Sequence, residues 1–465
     1  MANSSKPISR TAPPDSRFLR SLSCVESDAF SIAKFNDWFD DRMRHHHFEI
    51  DQIAFSDLQK WGFESSTGNL RHESGKFFQI QGISVETNFG GIKQWQQPII
   101  NQPEIGFLGF IAKEFDGVLH FLMQAKMEPG NIRCIQLAPT LQATKSNYTR
   151  VHQGKSPPFL QYFRDNPDRR VLVDVLQSEQ GGRFLRKRNR NIIIEVPSGE
   201  SLPENPDYIW LTLGQIQKLL RRDNVINMDA RTVLSCISYH RVTSSTTENP
   251  SIHSMDEILT WFTELKCCYD LDVQSIPLRD ARPWLMDSQR IFHPEGKYFE
   301  VIAVRVAADN REVSSWTQPL VKPCQEGLIA FVTKDFQGEP HFLIQGKVEA
   351  GNFDIVEMAP TVQCINGDYR QAPLDSRPPF IDYVLNASSA QILFDTMQSE
   401  EGGRFFREEN RNLILRASPD FPAELPANYI WISHTQLKDF IRFNNIVNIQ
   451  ARCLLSAFGA EIVKV

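Results

Sequence analysis

Two copies of one polar motif, Q-S-E-x-G-G-R-F, contain residue types whose spacing suits the binding of an anion. The glutamate, the glycine pair and the arginine of the two motifs are Glu179, Gly181, Gly182 and Arg183, then Glu400, Gly402, Gly403 and Arg404. Adjacent glycines let a ligand approach the backbone closely, because no Cβ is in the way. The arginine offers a planar fork to two phosphate oxygens, and the glutamate could orient it or accept a proton. A glycine turn closed by a structural arginine–glutamate pair is the alternative.

Further polar residues accompany each motif. Arg190 and Arg411 follow the two motifs and could each be a second phosphate ligand. The rows Gln124-x-Lys126-x-Glu128 and Gln345-x-Lys347-x-Glu349 precede them. Alternate residues of a strand point to the same side, so each row places its three side chains on one face of a predicted sheet. That face lines either a pocket or the solvent.

Acid–base chemistry is better supported by the first half of the chain than by the second. The loop over residues 145–155 contains Tyr148 and His152. The corresponding loop of the second half keeps the tyrosine as Tyr369 but has Pro373 in place of the histidine. We therefore expect a reactive pocket in the first half, and a second, altered pocket that could bind a ligand without reacting.

Two tryptophans occupy equivalent W-x-Q-P sequences. Trp95 and Trp316 each lie three residues before a proline, in a segment predicted to be a loop. A tryptophan in such a loop could stack on a nucleobase through its large apolar face. Packing in the protein core is an equally good interpretation of both residues.

Composition excludes several classes of function. The chain has 465 residues and a formal net charge of −6, which gives no general attraction to nucleic acids. No apolar run approaches the ~18 residues of a membrane span, and the N-terminus lacks the apolar stretch of a signal peptide. The 8 cysteines form no C-x-x-C pair, so we expect a reduced, cytoplasmic protein without a bound metal.

The sequence contains an internal duplication, which indicates its domain organisation. Residues 106–142 align without a gap with residues 327–363, and all 8 tryptophans pair between the halves. This self-similarity predicts two homologous domains, which we call the first and second copies. The expected boundaries are a tail at 1–29, the first copy at 30–242, a linker at 243–253 and the second copy at 254–465. Each copy should have a core of its own and pack against the other.

The elements that must position the polar residues are a mixture of strands and helices. Turns at Asp116-Gly117 and Gln337-Gly338 predict a hairpin in each copy. Apolar residues at helical spacing predict helices near residues 30–44, 213–222, 255–268 and 436–442. Because strands and helices do not alternate regularly, the pattern favours an α+β fold.

These motifs resemble those of the NDP-hexose 2,3-dehydratases, enzymes of deoxysugar biosynthesis. The resemblance covers nearly the whole chain and includes the duplication, A-P-T-x-Q, the loop around Tyr148 and both glycine–arginine motifs. It implies two tandem Nudix-like domains, a homodimer and a dTDP-linked 4-keto-6-deoxyhexose as substrate. Neither half contains the R-E-x-x-E-E run of a Nudix hydrolase, which disfavours metal-dependent pyrophosphate hydrolysis.

The implied reaction is the loss of water across C2 and C3 of the sugar, without a cofactor. It needs a base at C3, an acid at the C2 oxygen and a donor to the developing C4 enolate. The candidates for these three roles are Lys126, Glu128, Tyr148, His152 and Glu179. The candidate binding residues are Trp95, Gly181, Gly182, Arg183, Arg190, Trp316, Lys347, Glu349, Tyr369, Glu400, Gly402, Gly403, Arg404 and Arg411. A downstream 3-ketoreductase would consume the diketone that forms.

Three other interpretations remain open at this point. A non-catalytic nucleotide-sugar-binding protein would keep both pockets without reacting. An isomerase would enolise the same 4-keto sugar and return the proton. A structural homodimer without a ligand would leave the paired glycine–arginine motifs without a purpose.

Overall fold

The protein is an α+β molecule, as the sequence pattern predicts. The computed structural model describes residues 16–27, 30–151, 154–164, 169–238, 251–364, 369 and 377–459. The α-helices are α1 (Ser16–Ser23), α2 (Ile32–His45), α3 (Lys145–Tyr148), α4 (Leu160–Arg164), α5 (Leu213–Leu220), α6 (Met228–Ser235), α7 (Met255–Cys268), α8 (Ile381–Leu385), α9 (His434–Phe440) and α10 (Ile449–Leu455).

The described residues also form 24 strands. In the first copy they are β1 (Phe48–Ile53), β2 (Trp61–Phe63), β3 (Leu70–His72), β4 (Gln79–Thr87), β5 (Gln94–Asn101), β6 (Gly106–Phe115), β7 (Val118–Met127), β8 (Ile135–Ala138), β9 (Leu141–Ala143), β10 (Arg170–Ser178), β11 (Arg188–Glu195) and β12 (Tyr208–Leu211). In the second copy they are β13 (Leu271–Ile276), β14 (Leu285–Met286), β15 (Arg290–Phe292), β16 (Phe299–Ala308), β17 (Ser315–Pro323), β18 (Gly327–Phe336), β19 (Glu339–Lys347), β20 (Glu357–Ala359), β21 (Val362–Cys364), β22 (Ile392–Ser399), β23 (Glu409–Arg416) and β24 (Tyr429–Ser433).

Each copy has a 7-stranded sheet, and the two sheets have the same strand order. The first runs β10-β11-β6-β7-β12, with β8 also paired to β7 and β9 to β6. The second runs β22-β23-β18-β19-β24, with β20 also paired to β19 and β21 to β18. One pair in each sheet, β6 with β11 and β18 with β23, is parallel. The predicted hairpin turns are confirmed: Asp116 and Gly117 have φ of 48° and 76°, and Gln337 and Gly338 have φ of 56° and 82°. Positive φ at both central residues matches the right-handed twist of the flanking strands.

Two smaller sheets join the copies by exchanging strands. β1 of the first copy pairs with β16 of the second, and β13 of the second pairs with β4 of the first. Each 5-stranded sheet therefore contains strands from both halves of the chain.

The exchange also merges the hydrophobic core. The largest cluster of buried side chains includes Phe110 and Phe121 from the first copy and Phe331 and Phe342 from the second. The expectation that each copy owns a separate core is therefore wrong for this cluster, because the exchanged strands bring both apolar sets together. Smaller clusters do belong to one copy each.

Amphipathic helices fall close to where the sequence places them, whereas fully buried ones were missed. α7 begins after Ser254, whose side chain accepts a hydrogen bond from the Glu257 amide in a complete capping box. α6 and α10 were not predicted because every one of their residues is buried, which removes the apolar stripe that marks a surface helix. These two helices pack against each other between the copies.

The predicted N-terminal tail and linker are not tested by the structure. Residues 1–15 and 239–250 lie outside the described residues, so the tail at 1–29 and the linker at 243–253 stay predictions. Within the described ranges, no helix has both the length and the apolar character needed to cross a bilayer.

Replacing Gly130 with alanine tests how closely the copies approach each other. An added Cβ would lie 1.5 Å from the Phe405 carbonyl oxygen, which is backbone of the other copy and cannot move aside cheaply. We expect Gly130→Ala to lose at least about 2 kcal/mol of stability through overpacking. Thermal and urea unfolding measure the loss. Gly199→Ala is the control, since a Cβ there has no heavy atom within 4 Å; equal midpoints for the two variants would contradict the contact.

Candidate functional site

A cavity of about 360 Å³ lies where the sheet of the first copy meets the motif loop of the second. Its polar lining from the first copy includes Lys126, Glu128, Gln142, Asn189 and Asp229, with His72 and Glu73 also among the lining residues. Its lining from the second copy includes Arg311, Glu312, Trp316, Gln318, Glu401, Gly403 and Arg404. Aromatic side chains at Trp61, Phe77 and Phe78 also contact it. The cavity therefore combines carboxylates, cations and aromatic surface from both halves of the chain.

Backbone hydrogen bonds hold the two copies together at this cavity. The Gly130 amide donates to the Gly402 carbonyl at 2.7 Å, and the Arg407 amide donates to the Gly130 carbonyl at 2.8 Å. A Cβ on Gly402 would lie 3.1 Å from the Cβ of Glu128, so the glycine permits this close approach. The glycine–arginine motif of one copy thus lies on the Gln-x-Lys-x-Glu row of the other, a cross-pairing that the sequence did not indicate.

One carboxylate oxygen of Glu128 accepts a hydrogen bond, whereas the other accepts none within the described part of the chain. Its Oε1 accepts a hydrogen bond from Gln142 Nε2 at 2.9 Å, and Gln142 Oε1 accepts one from Asn227 Nδ2 at 2.9 Å. The Oε2 atom is buried and has no hydrogen-bond partner among the described residues. Because an unpartnered buried carboxylate oxygen is costly, Oε2 is expected to meet a polar group of the ligand.

Lys126 lies beside Glu128 with only 5% of its surface exposed. Its Nζ approaches the Gln142 carbonyl oxygen at 3.4 Å. Burial lowers the pKa of Lys126, and the neighbouring Arg311 guanidinium lowers it further. An ammonium in this position can donate hydrogen bonds to a developing oxyanion in the cavity.

Arg404 and Trp316 form the wall contributed by the second copy. The Arg404 guanidinium donates to Gln102 Oε1 at 3.1 and 3.2 Å and lies 4.3 Å from the centre of the Phe78 ring. Trp316 Nε1 donates to Gln318 Oε1 at 2.8 Å, and Gln318 Nε2 donates to the Gly403 carbonyl at 2.9 Å. This chain of hydrogen bonds fixes the indole relative to the glycine pair.

Two acidic residues of the cavity have raised pKa values and were not among the sequence candidates. Burial raises the pKa of Glu401 to about 7, and the nearby carboxylates Glu179 and Glu128 also raise it. Burial raises the pKa of Asp229 well above its ordinary value, with Glu401 acting in the same direction. Glu401 occupies the variable position of its motif, where the first copy has Gln180, so the asymmetry was visible in the sequence. Asp229 was missed because it lies on the buried helix α6.

The loop between β16 and β17 closes another side of the cavity. Arg311 Nη1 donates to the Met127 carbonyl at 2.6 Å, and Asn310 Nδ2 donates to the Ala125 carbonyl at 3.3 Å. Burial would raise the pKa of Glu312, but the positive charges of Arg311 and Lys126 hold that pKa at about 2. The aligned loop of the first copy has Gly90-Gly91 instead of these two charged residues.

Several sequence candidates lie elsewhere. The side chains of Arg190 and Arg411 do not line the cavity; each makes paired hydrogen bonds of 2.6–2.9 Å to an aspartate, Asp174 and Asp395 respectively. Their guanidinium groups are therefore already engaged by a carboxylate of their own sheet.

The remaining candidates from the first-copy pool are also separate from the cavity. Tyr148 contacts Phe107 and Arg164, and Glu179 is buried behind the lining, where it accepts a hydrogen bond from Asn189 at 2.7 Å. Tyr369 is buried in a hydrophobic cluster of the second copy. His152 lies outside the described residues.

The other candidates assemble at a reciprocal position related to the cavity by the repeat. The Gly351 amide donates to the Gly181 carbonyl at 2.6 Å, which places Arg183 and Gly182 beside Lys347 and Glu349. Gln363 Nε2 donates to Glu349 Oε1 at 3.1 Å, as Gln142 does to Glu128.

The tryptophan contacts of the reciprocal position follow the same pattern. The prediction of a loop for Trp95 and Trp316 is wrong, because they lie on β5 and β17, where they pair with β4 and β16. Trp95 Nε1 donates to Gln97 Oε1 at 2.8 Å, and Gln97 Nε2 donates to the Gly182 carbonyl at 3.2 Å. Glu400 lies buried between the two positions, bonded to Gln180 and Asn410. Among the described residues, no group of three or more His, Cys, Asp and Glu side chains is arranged to hold a metal ion.

Comparison with known proteins identifies the family. The family model described as NDP-hexose 2,3-dehydratase matches residues 32–237 and again residues 255–458. The chain belongs to this family. The resemblance drawn from the motifs is thereby confirmed, and the double match in this dehydratase chain corresponds to its two copies.

Curated relatives span nearly the whole dehydratase chain. A protein of Saccharopolyspora spinosa named dTDP-4-dehydro-6-deoxy-alpha-D-glucopyranose 2,3-dehydratase is 45% identical over 458 residues, which cover 95% of this chain and 94% of the relative. A protein of Amycolatopsis orientalis with the same name is 45% identical over 91% of this chain and 89% of its own length. A third, from Streptomyces violaceoruber, is also 45% identical over 91% of this chain.

The charge pair in the cavity loop of this dehydratase predicts a pH-dependent contribution to stability. Because the pKa of Glu312 in the folded protein lies below its ordinary value of 4.5, its stabilising effect is present above pH 4.5 and is lost as the pH falls towards about 2. We expect Glu312→Gln to lower the free energy of unfolding by up to about 3 kcal/mol at pH 6, with the difference shrinking below pH 4.5. Denaturant titrations over this pH range measure it. Glu204→Gln, at an exposed carboxylate, serves as the control; a difference independent of pH would rule out this charge pairing.

Proposed function

We propose that the protein is a dTDP-4-keto-6-deoxyhexose 2,3-dehydratase, a hydro-lyase whose reaction takes place in the cavity between the copies. The observation that carries the proposal is the convergence there of Glu128, Lys126 and Arg404, which supply a carboxylate, an ammonium and a guanidinium. Family membership and the names of the relatives agree with this activity. The dTDP-4-keto-6-deoxyglucose named in those relatives is the substrate we expect.

The chemistry follows from the position of the carbonyl. The C4 ketone acidifies the hydrogen on C3, so that a base can remove it and leave an enolate with its charge on the C4 oxygen. When the C4 carbonyl re-forms, the electron pair expels the C2 hydroxyl, which departs as water after taking up a proton. The resulting enol becomes a 2-deoxy-3,4-diketo sugar as C2 gains a proton and the C3 oxygen loses one.

Four residues of the cavity match the needs of substrate binding and of these steps. Glu128 is the base, because its unpartnered Oε2 is buried within the lining. Lys126 donates to the C4 oxygen, where a buried positive charge stabilises the enolate more strongly than water would. Arg404 binds the diphosphate, and Trp316 stacks on the thymine, so that the sugar is held over Glu128.

The reciprocal position binds a similar ligand without reacting. It contains the same lysine, glutamate and arginine types, as Lys347, Glu349 and Arg183, together with Trp95. The charged pair Arg311 and Glu312 of the reactive cavity is replaced there by glycines. This combination retains groups for binding but changes the electrostatics around the reacting ring.

The wider setting of the enzyme is also part of the proposal. The mixed 7-stranded sheets, each with one parallel pair, support a Nudix-like fold for each copy. We infer a homodimer from the family, and a cytoplasmic location from the 8 cysteines, all of which are thiols. A 3-ketoreductase that acts next would remove the labile diketone.

Incubation with dTDP-4-keto-6-deoxyglucose tests the function directly. We expect mass spectrometry to show the loss of one water from the substrate, with a 3-ketoreductase and its reductant added to trap the product. Uptake of solvent deuterium without loss of water would favour an isomerase. Affinity without any change in mass would favour a binding protein.

Glu128→Gln isolates the proposed base. We expect turnover to fall by roughly 10²–10⁴-fold, because an amide cannot accept the C3 proton, while dTDP binding changes little. The matching substitution Glu349→Gln should reduce turnover by less than about threefold, since it lies at the reciprocal position. Similar losses in both variants would show that the reaction is not confined to this cavity.

Arg404→Ala tests the diphosphate contact. Loss of a charge-assisted pair of hydrogen bonds is expected to weaken dTDP binding about 10–100-fold, as measured by calorimetry with the reciprocal site blocked by Arg183→Ala. Arg190→Ala in the same background should change affinity by less than about twofold, because that guanidinium is bonded to Asp174 outside the cavity. A larger loss of affinity for Arg190→Ala than for Arg404→Ala would show that the diphosphate binds beside Arg190 instead.

A further inference from the structure

Two carboxyl groups of the cavity have amides as their counterparts at the reciprocal position, while Lys187, which lies near Glu401, has Glu408 as its counterpart. The lysine, glutamate and arginine of the cavity have the same residue types at both places. Glu401, however, corresponds to Gln180 in the motif, and Asp229 on α6 corresponds to Gln450 on α10. Each of these acids therefore has an amide in its place at the position that we expect not to react.

Glu401 lies next to the proposed base. From the point that a Cβ on Gly403 would occupy, Glu401 Oε1 is 3.1 Å away and Glu128 Oε1 is 3.3 Å away. Both carboxyl groups, together with Asp229, line the cavity. A sugar ring placed there would have Glu128 and Glu401 within reach of neighbouring carbons.

The surroundings of Glu401 favour its protonated form. Burial is the main cause, and it raises the pKa of this group to about 7. The groups that face it are Arg404 on its own loop, Glu128 after β7, Glu179 after β10, Lys187 before β11 and Asp229 on α6. Since like charges in a buried site share protons, this cluster carries a proton near neutral pH.

We propose that Glu401 is the general acid that protonates the C2 hydroxyl as it leaves, with Asp229 as a neighbouring carboxyl that helps to retain the proton. The assignment rests on the proposed dehydratase function and adds to it a residue for the C–O cleavage. Glu128 takes the C3 proton, the C2–O bond breaks, and Glu401 gives its proton to the departing oxygen to form water. In the tautomerisation, Glu128 returns its proton to C2 and Glu401 takes one from the C3 oxygen, so both groups are restored.

The assignment identifies a proton donor that the reciprocal position lacks at the place of Glu401. Gln180 can donate a hydrogen bond but cannot transfer a proton to a leaving oxygen at neutral pH. That position could therefore bind a 4-keto sugar, and even polarise its carbonyl through Lys347, without losing the hydroxyl.

Glu401→Gln separates proton removal from water loss. Glutamine already occupies this place in the first copy's motif, so the loop can fold around it. We expect water loss to fall about 10²–10³-fold, whereas deuterium from D₂O still enters C3 of the substrate. The wild-type rate should decline above about pH 7 as the acid loses its proton, and the residual rate of the variant should lack that decline. Glu401→Asp, which keeps a carboxyl group, should recover part of the rate and the decline.

The outcomes separate this inference from the function on which it rests. Water loss by Glu401→Gln within threefold of wild type would overturn the acid role and leave the dehydratase intact. Loss of both C3 exchange and water loss, or loss of dTDP binding, would also overturn it, because Glu401 would then act before C–O cleavage. A wild-type protein that releases no water would instead refute the function itself.

Discussion

The close approach of two backbones at a glycine is the constraint on which the rest of the structure depends. Gly130 follows the polar row of the first copy, and the hydrogen bond from its amide to Gly402 is possible only because neither residue carries a Cβ. The reciprocal bond from Gly351 to Gly181 repeats the contact. These two contacts place each motif loop over the other copy's sheet, so neither copy can form a complete site alone.

Strand exchange adds further contacts between the two copies. β1 and β13 each extend a sheet of the opposite copy, and the main hydrophobic cluster joins both halves. The buried helices α6 and α10 pack together between the copies. Arg231 on α6 donates a hydrogen bond to the Ser399 carbonyl at the end of β22, and Arg452 on α10 donates one to the Ser178 carbonyl at the end of β10. A small displacement of one copy would therefore change the position of Glu128 relative to Arg404 and Trp316, and the reaction requires a positioned base.

Divergence between equivalent positions gives the two sites different electrostatics. Burying several carboxyl groups together is unfavourable unless they keep protons or meet cations. In the cavity, the positive charges of Arg311 and Lys126 lower the pKa of Glu312, while burial raises the pKa of Glu401 and of Asp229. At the reciprocal position, glutamines and glycines replace Glu401, Asp229 and the pair Arg311 and Glu312. Glu349, Glu400 and Glu408 are nevertheless buried together there, and burial raises the pKa of each of them. The duplicated scaffold thus carries two sites with different arrangements of buried carboxyl groups.

The sequence by itself determined the family, the duplication pattern, the hairpins and the residue types of the site, because these depend on local spacing and on motifs contiguous in the chain. It identified Lys126, Glu128, Trp316, Gly403 and Arg404 as candidates, but it grouped each motif with the polar row of its own copy. Only the tertiary structure decided that the partners come from opposite copies, since strand exchange is a long-range pairing that no local pattern encodes. It also revealed Asp229 on a helix buried on every side, where periodicity gives no signal. Likewise, Arg190 is hydrogen-bonded to Asp174 because the register of β10 and β11 places the two residues close together on adjacent strands.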